Sequence, residues 1–182
     1  LYQYSITNVA AGGSFNQIIS NGIVDPQELV VVPLINPIGN STTVTTLEPY
    51  VSPFDSCPGT TCPYASISNY QVQLSGQNVY QSPITYDWDA FVSEVAQSGS
   101  LNGAQSTGLM SGLIGEKEWS AAYRYYVTNL KRRIPANNMV PISIGLSGVN
   151  NTSRAMNYLV FVTYKRKIAI NVIDGTVRRV AQ

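Results

Sequence analysis

The chain has 182 residues, a formal net charge of +1, 44% apolar residues and only 12% charged residues, about half the ~25% of an ordinary globular domain. That length suffices for one domain with a full core, and no run of ~18 apolar residues occurs of the kind that crosses a membrane as a helix. Histidine is absent, which removes the commonest general base, the commonest zinc ligand and every Ser–His or Cys–His nucleophile pair, so an enzyme is not expected and neither is a cofactor.

Strand signals dominate in chain order. Tyr2–Thr7 alternates large apolar and polar residues. Phe15–Ile19 reads as a second strand, closed by the turn dipeptide Asn21-Gly22. Leu29–Ile35 is a continuous apolar run, the pattern of a strand covered on both faces, and Pro33 within it indicates a strand edge or bulge at that point. Residues 36–63 are rich in Pro, Thr and Ser and read as a long connection with one weak strand at Thr42–Leu47. Within it lie Cys57 and Cys62, with four residues between them. Such a pair closes a disulfide where the Cα atoms approach to ~6 Å. Free thiols in a Pro-rich loop are the other reading, and two thiolates alone make a poor metal site.

Tyr70-Gln-Val-Gln-Leu alternates strictly, with Tyr70, Val72 and Leu74 on one face, and Asn78–Tyr80 continues it after a bulge or turn at Gly76. One helix is expected: Trp88, Phe91, Val92 and Val95 fall at i, i+3, i+4 and i+7. Thr85 or Asp87 caps its start and Gly99 ends it. Asp87 and Asp89 then complement the helix dipole and are not read as a catalytic pair. Residues 99–115 hold five glycines and read as a loop. Tyr123–Leu130, Pro141–Ser147 and Tyr158–Tyr164 are further strands. Ile168, Ile170 and Val172 alternate before the hairpin signal Asp174-Gly175. These elements describe an all-β fold: an antiparallel two-sheet jelly-roll sandwich with one short helical insertion, a single domain over residues 1–182. The first residue is Leu1, as expected of a fragment or of one half of a longer protein.

The segment Ser66–Ile84, the helix opening Tyr86-Asp-Trp-Asp-Ala-Phe, the Gly-rich stretch to Ser111-Gly-Leu-Ile, the strand Tyr123–Leu130 with Lys131-Arg-Arg behind it, and the closing apolar strand pair come in a recognisable order. In that order they resemble a jelly-roll domain of the double-jelly-roll major capsid proteins of double-stranded DNA viruses, most closely the Polinton, adintovirus and virophage type. The resemblance covers residues 52–180 and implies a virion structural protein, assembled inside the host cell into trimeric capsomers of an icosahedral shell. It implies identical copies and other capsid proteins as partners, and no small-molecule substrate. The chain departs from the family in supplying one jelly roll where the family has two. From another class, a carbohydrate-binding sandwich module of a secreted or fibre protein would use Trp88, Trp119 and tyrosines as stacking platforms.

Charge is sorted along the chain. Residues 1–116 carry eight acids and no Lys or Arg; residues 117–182 carry all eleven basic residues and two acids. The basic residues cluster as Lys131-Arg132-Arg133, Lys165-Arg166-Lys167 and Arg178-Arg179. Labelling jelly-roll strands B to I in chain order, strands F and H both run antiparallel to E in the C-H-E-F sheet. With Tyr123–Leu130 as F and Tyr158–Tyr164 as H, the first two clusters meet at one end, and the Asp174-Gly175 turn folds Arg178-Arg179 back toward it. That end is expected to face the viral genome, an inner membrane surface or an acidic neighbouring subunit. Changing Lys131, Arg132 and Arg133 together to Glu is expected to impair assembly or packaging and to leave the melting temperature nearly unchanged.

Overall fold

In β7, Ile142–Asn150, every second residue is buried: Ile142, Ile144, Leu146, Gly148 and Asn150. A strand with this period turns one face to the core and the other outward, and β8, Met156–Tyr164, repeats it with Met156, Tyr158, Val160 and Val162 inward. The computed structural model describes residues 1–36, 65–98, 114–121, 123–134, 140–166, 168–170 and 177–179. The remaining strands are β1 (Tyr2–Val9), β2 (Ser14–Ile23), β3 (Pro26–Ile35), β4 (Ile67–Leu74), β5 (Gln77–Asn78), β6 (Tyr126–Asn129), β9 (Ile168–Ile170) and β10 (Val177–Arg179). Two helices, α1 (Trp88–Gln97) and α2 (Glu116–Ala121), lie between β5 and β6.

The first eight strands form two four-stranded sheets, β1-β8-β3-β6 and β2-β7-β4-β5, and every pairing is antiparallel. Apart from the β4–β5 hairpin, the chain alternates between the sheets, so most neighbouring strands in each sheet are distant in sequence. This is the jelly roll. The expected strand identities shift by one. Tyr126–Asn129 and Met156–Tyr164 are the sixth and eighth strands of the roll, G and I, which places them in the B-I-D-G sheet. The short β5 hairpin strand is F, because Ser75 (φ 48°) and Gly76 (φ 82°) form a two-residue turn with both central residues at positive φ, the geometry hairpins favour.

Local features follow from individual residues. Asn21-Gly22 does not end β2; the strand runs through to Ile23, with irregular register after Ile18 and again after Ser20, and the chain reverses at Val24-Asp25, where Asp25 takes φ 50°. At Pro33 the strand pairs with Tyr158 of β8, while β6 has already ended opposite Val31. The proline therefore sits where that side of β3 has no paired strand among the described residues, as suits its missing N–H. Gly148 faces Ile67 and Phe15 so closely that a Cβ there would lie 2.8 Å from Ile67 Cγ2. Buried Asn150 holds the β1–β2 corner, its Nδ2 donating to the carbonyls of Val9, Ala10 and Arg154.

Asp87 caps α1, its side chain accepting from Ala90 N at 2.9 Å. Phe91, Glu94 and Val95 are the buried face. The second helix, α2, was not expected. It is six residues long and has one large apolar residue, Trp119, so no period is legible in it. Trp119 is buried against Phe91 (5.1 Å between ring centroids) and donates from Nε1 to Tyr125 O.

Helix α1 lies along β6, the edge of its sheet. Val127 N donates to the Tyr86 hydroxyl (3.0 Å), which donates to Val127 O (2.5 Å). Asn129 N donates to Glu94 Oε2 (2.8 Å), and Asn129 Nδ2 to Gln97 O (3.0 Å). The backbone groups that β6 turns away from β3 are thereby satisfied by side chains before and on α1. Replacing Tyr86 with Phe removes a partner from two buried backbone groups, and is expected to lower unfolding free energy by ~1–3 kcal/mol in urea denaturation.

Tyr70, Tyr80 and Tyr86 cluster around Thr128 and the Val127 backbone. Burial first, then the charge of neighbouring tyrosines and Glu94, pushes their hydroxyls well above the usual tyrosine range. The unfolded chain ionises them near pH ~10, so it binds fewer protons than the fold above that pH, and stability falls as pH rises beyond ~10. An alkaline absorbance titration is expected to show these three of the twelve tyrosines ionising only as the protein unfolds.

Candidate functional site

β6 and β8 both run antiparallel to β3, which lies between them. They are therefore parallel to each other, and the residues after each emerge on either side of the start of β3. Leu130 N donates to Gln27 O, and Lys165 N to Asp25 O. The expected meeting of the first two basic clusters is what the structure has, in the sheet of β1, β8, β3 and β6 and not in its companion.

Lys131, Arg132 and Arg133 form a single 3-10 turn, and all three are exposed. Lys165 and Arg166 are exposed directly after β8. Lys167 lies outside the described residues, as do Cys57 and Cys62. Arg178 and Arg179 lie on β10, which pairs antiparallel with β9, Arg178 opposite Ala169 and Arg179 opposite Ile168. The hairpin expected around Asp174-Gly175 thus returns the third cluster toward the start of β9. The turn residues themselves lie outside the described residues.

The five described cations at this end are not equivalent. Arg132 forms an ion pair with Glu94, whose side chain is only 4% exposed, and lies 5.1 Å from the centroid of the Tyr80 ring. Arg166 stacks on Tyr164 and donates to its hydroxyl at 2.6 Å. Lys131, Arg133 and Lys165 have no side-chain partner among the described residues. Two acids here are buried. Glu94 faces Arg132 and Asn129, and Glu28 accepts from Ser98 Oγ (2.5 Å) and Thr163 Oγ1 (2.8 Å). Asp25, at the turn, accepts from Gln27 Nε2. What remains presented to a partner is a group of exposed cations, Lys131, Arg133 and Lys165, beside internally bonded carboxylates. It suits a polyanion held by charge and not by shape. The triple change to Glu expected to spare the fold does not spare it at Arg132, where a second carboxylate would oppose buried Glu94.

A second concave feature, an open cleft of about 470 Å³, lies between the start of α1 and α2 and is lined by Asp87, Trp88, Asp89, Glu116, Trp119 and Arg124 among others. Asp87 is occupied as the α1 cap. Arg124 lies over the Trp119 ring at 4.3 Å and donates to Ala65 O. Trp119 is 1% exposed. Of the two indoles a sugar-binding face would use, only half-buried Trp88 retains accessible surface. Among the described residues no group of three or more metal-ligating side chains comes together.

Comparison with family models, with curated proteins and with solved structures finds no match. Single replacements separate the cations by role. Arg132→Ala leaves a buried carboxylate without its counter-charge and is expected to destabilise by ~1–3 kcal/mol in urea unfolding. Lys131→Ala and Arg133→Ala are expected to stay within ~0.5 kcal/mol of the parent.

Proposed function

We propose that this chain is a structural protein of a virion, a jelly-roll capsid subunit that works by associating with copies of itself and with other shell proteins. The observation that carries the reading is the strand order β1-β8-β3-β6 over β2-β7-β4-β5. The motifs of the capsid resemblance fall on its elements in chain order: Ser66–Ile84 on the β4–β5 hairpin and the chain after it, Tyr86–Phe91 at the start of α1, and, after α2, Tyr123–Arg133 on β6 and its basic turn.

Two further features support it. Only 12% of residues are charged, and interface cores are depleted in charge. Most of the large described aromatic residues between β4 and β6 are packed inward. Tyr70, Tyr86, Tyr126 and Trp119 are buried in one contiguous cluster, so they serve the core and not a ligand. The competing reading, a carbohydrate-binding module, keeps Trp88 beside the cleft as its one platform, and a glycan array with no binding removes it.

In the capsid reading the basic end contacts the anionic lining of the shell, either packaged genome or the inner membrane surface, or an acidic patch on a neighbouring subunit. The working test is size-exclusion chromatography with light scattering, followed by negative stain. Oligomers or particles are expected, and a stable monomer at micromolar concentration without particles counts against the reading. The variant Lys131→Glu/Arg133→Glu/Lys165→Glu, with Arg132 retained, is expected to melt as the parent does and to lose particle yield or salt-sensitive polyanion binding. Parent-like yield and binding would remove the basic end from the proposal.

A further inference from the structure

The two ends of this sandwich differ in what they expose. At the basic end the strand pairings bring four segments together. β1 starts beside the end of β8, Tyr2 opposite Val162, so Leu1 and Tyr2 lie next to the segment of Lys165 and Arg166. Tyr164 pairs with Pro26 at the start of β3, and Leu130 N donates to Gln27 O, which sets Lys131, Arg132 and Arg133 on the other side of that start. The companion sheet reaches the same end through the short turn between β2 and β3. Ile23, the last residue of β2, pairs with Ile142, the first of β7, so Val140 lies there too.

Three of the five large apolar side chains exposed among the described residues, Leu1, Tyr2 and Val140, therefore belong to the basic end. They share it with Lys131, Arg133 and Lys165, which are exposed and outside any salt bridge among the described residues. No exposed acid accompanies them there among the described residues. Glu28 and Glu94 are buried, and half-buried Asp25 is bonded to Gln27. Exposed acids gather at the other end. α1 runs alongside β6, from Tyr86 at Val127 to Glu94 at Asn129. Asp87 and Asp89 at its start, with Glu116 across the cleft, thus lie away from the cations.

We infer that this end docks on an anionic lipid surface, with its cations among the headgroups and Leu1, Tyr2 and Val140 at the boundary with the acyl chains. Such docking rests on the basic end of the capsid reading and fixes its partner. Charge calls for an anion, and the apolar side chains decide which. A nucleic acid backbone is held by Lys and Arg on phosphate and gains nothing from an exposed valine or leucine. At a membrane interface the same side chains bury apolar surface while Lys and Arg reach the headgroups, and a tyrosine ring sits at that depth with its hydroxyl wet. The acids at the start of α1 orient the molecule, because an anionic leaflet attracts one end and repels the other.

Cosedimentation with phosphatidylcholine vesicles, with and without phosphatidylserine, tests this. Binding is expected only where phosphatidylserine is present, and is expected to fall with added salt. Each cation at an anionic leaflet strengthens attachment about fivefold, so Lys131→Ala/Arg133→Ala/Lys165→Ala is expected to weaken it roughly 100-fold. Tyr2→Ser/Val140→Ser keeps every charge. It is expected to weaken vesicle binding about tenfold, through lost apolar burial, and to leave binding to a mixed-sequence DNA duplex unchanged. Both variants are expected to melt as the parent does. A parent that binds the duplex and not the phosphatidylserine vesicles, or a folded Tyr2→Ser/Val140→Ser variant that binds vesicles as the parent does, overturns the inference. Vesicle binding by a chain that forms no oligomers or particles leaves the docking standing and sinks the capsid reading; particles from a chain that ignores the vesicles sink the docking and leave the capsid reading.

Discussion

One buried carboxylate ties the parts of this molecule together. Glu94 sits on the inward face of α1, accepts the outward N–H of Asn129 on β6, and carries the counter-charge of Arg132. A carboxylate out of water is tolerated only where its charge and lone pairs are met. Here the partners come from a sheet edge and from the turn behind it, so the helix, the last residues of β6 and the first basic cluster are held in one geometry. The insertion between β5 and β6 therefore acts as the cover of an edge that would otherwise be open.

That cover makes the sandwich asymmetric. One side is closed by side-chain bonds and a short hairpin strand. The other carries two long uncharged strands, β1 and β2, each with a stretch in unbroken register, Tyr2–Ile6 and Ser14–Ile18, and an irregularity beyond it. The charge sorting visible along the chain acquires a spatial meaning from this arrangement. The basic residues gather where β6 and β8 end, the acids at that end are turned inward, and the uncharged first 24 residues supply the open side. The basic end and the uncharged side are thus separate surfaces of one molecule.

Much of this was legible in the residues. Period-two alternation marked β4 and β7, a continuous apolar run marked β8, and the 3.6-residue period marked α1, because burial imposes those patterns. The basic clusters were visible, and so was their common end, since any two strands flanking a third antiparallel strand finish together. The identity of that sheet was not legible. β5 is a two-residue strand that no periodicity can announce, and missing it shifts every later label. Helix α2 was hidden for a similar reason: six residues with a single buried ring have no repeat to read. Asn21-Gly22 reads as a turn by composition, yet the strand passes through it, because pairing with β7 on both sides of the dipeptide outweighs its local preference.

The sequence by itself determined the class of fold, the oily faces of the strands, the helix with its Asp87 cap and the separation of charge, all of which depend on neighbours a few residues apart. Only the tertiary structure decided which cations are free and which are engaged, because Arg132 meets Glu94 across 38 residues and nothing local distinguishes it from Lys131 or Arg133. It also decided which edges are closed, since hydrogen bonds from the side chains of Tyr86 and Glu94 to the β6 backbone form only once distant segments are folded against each other.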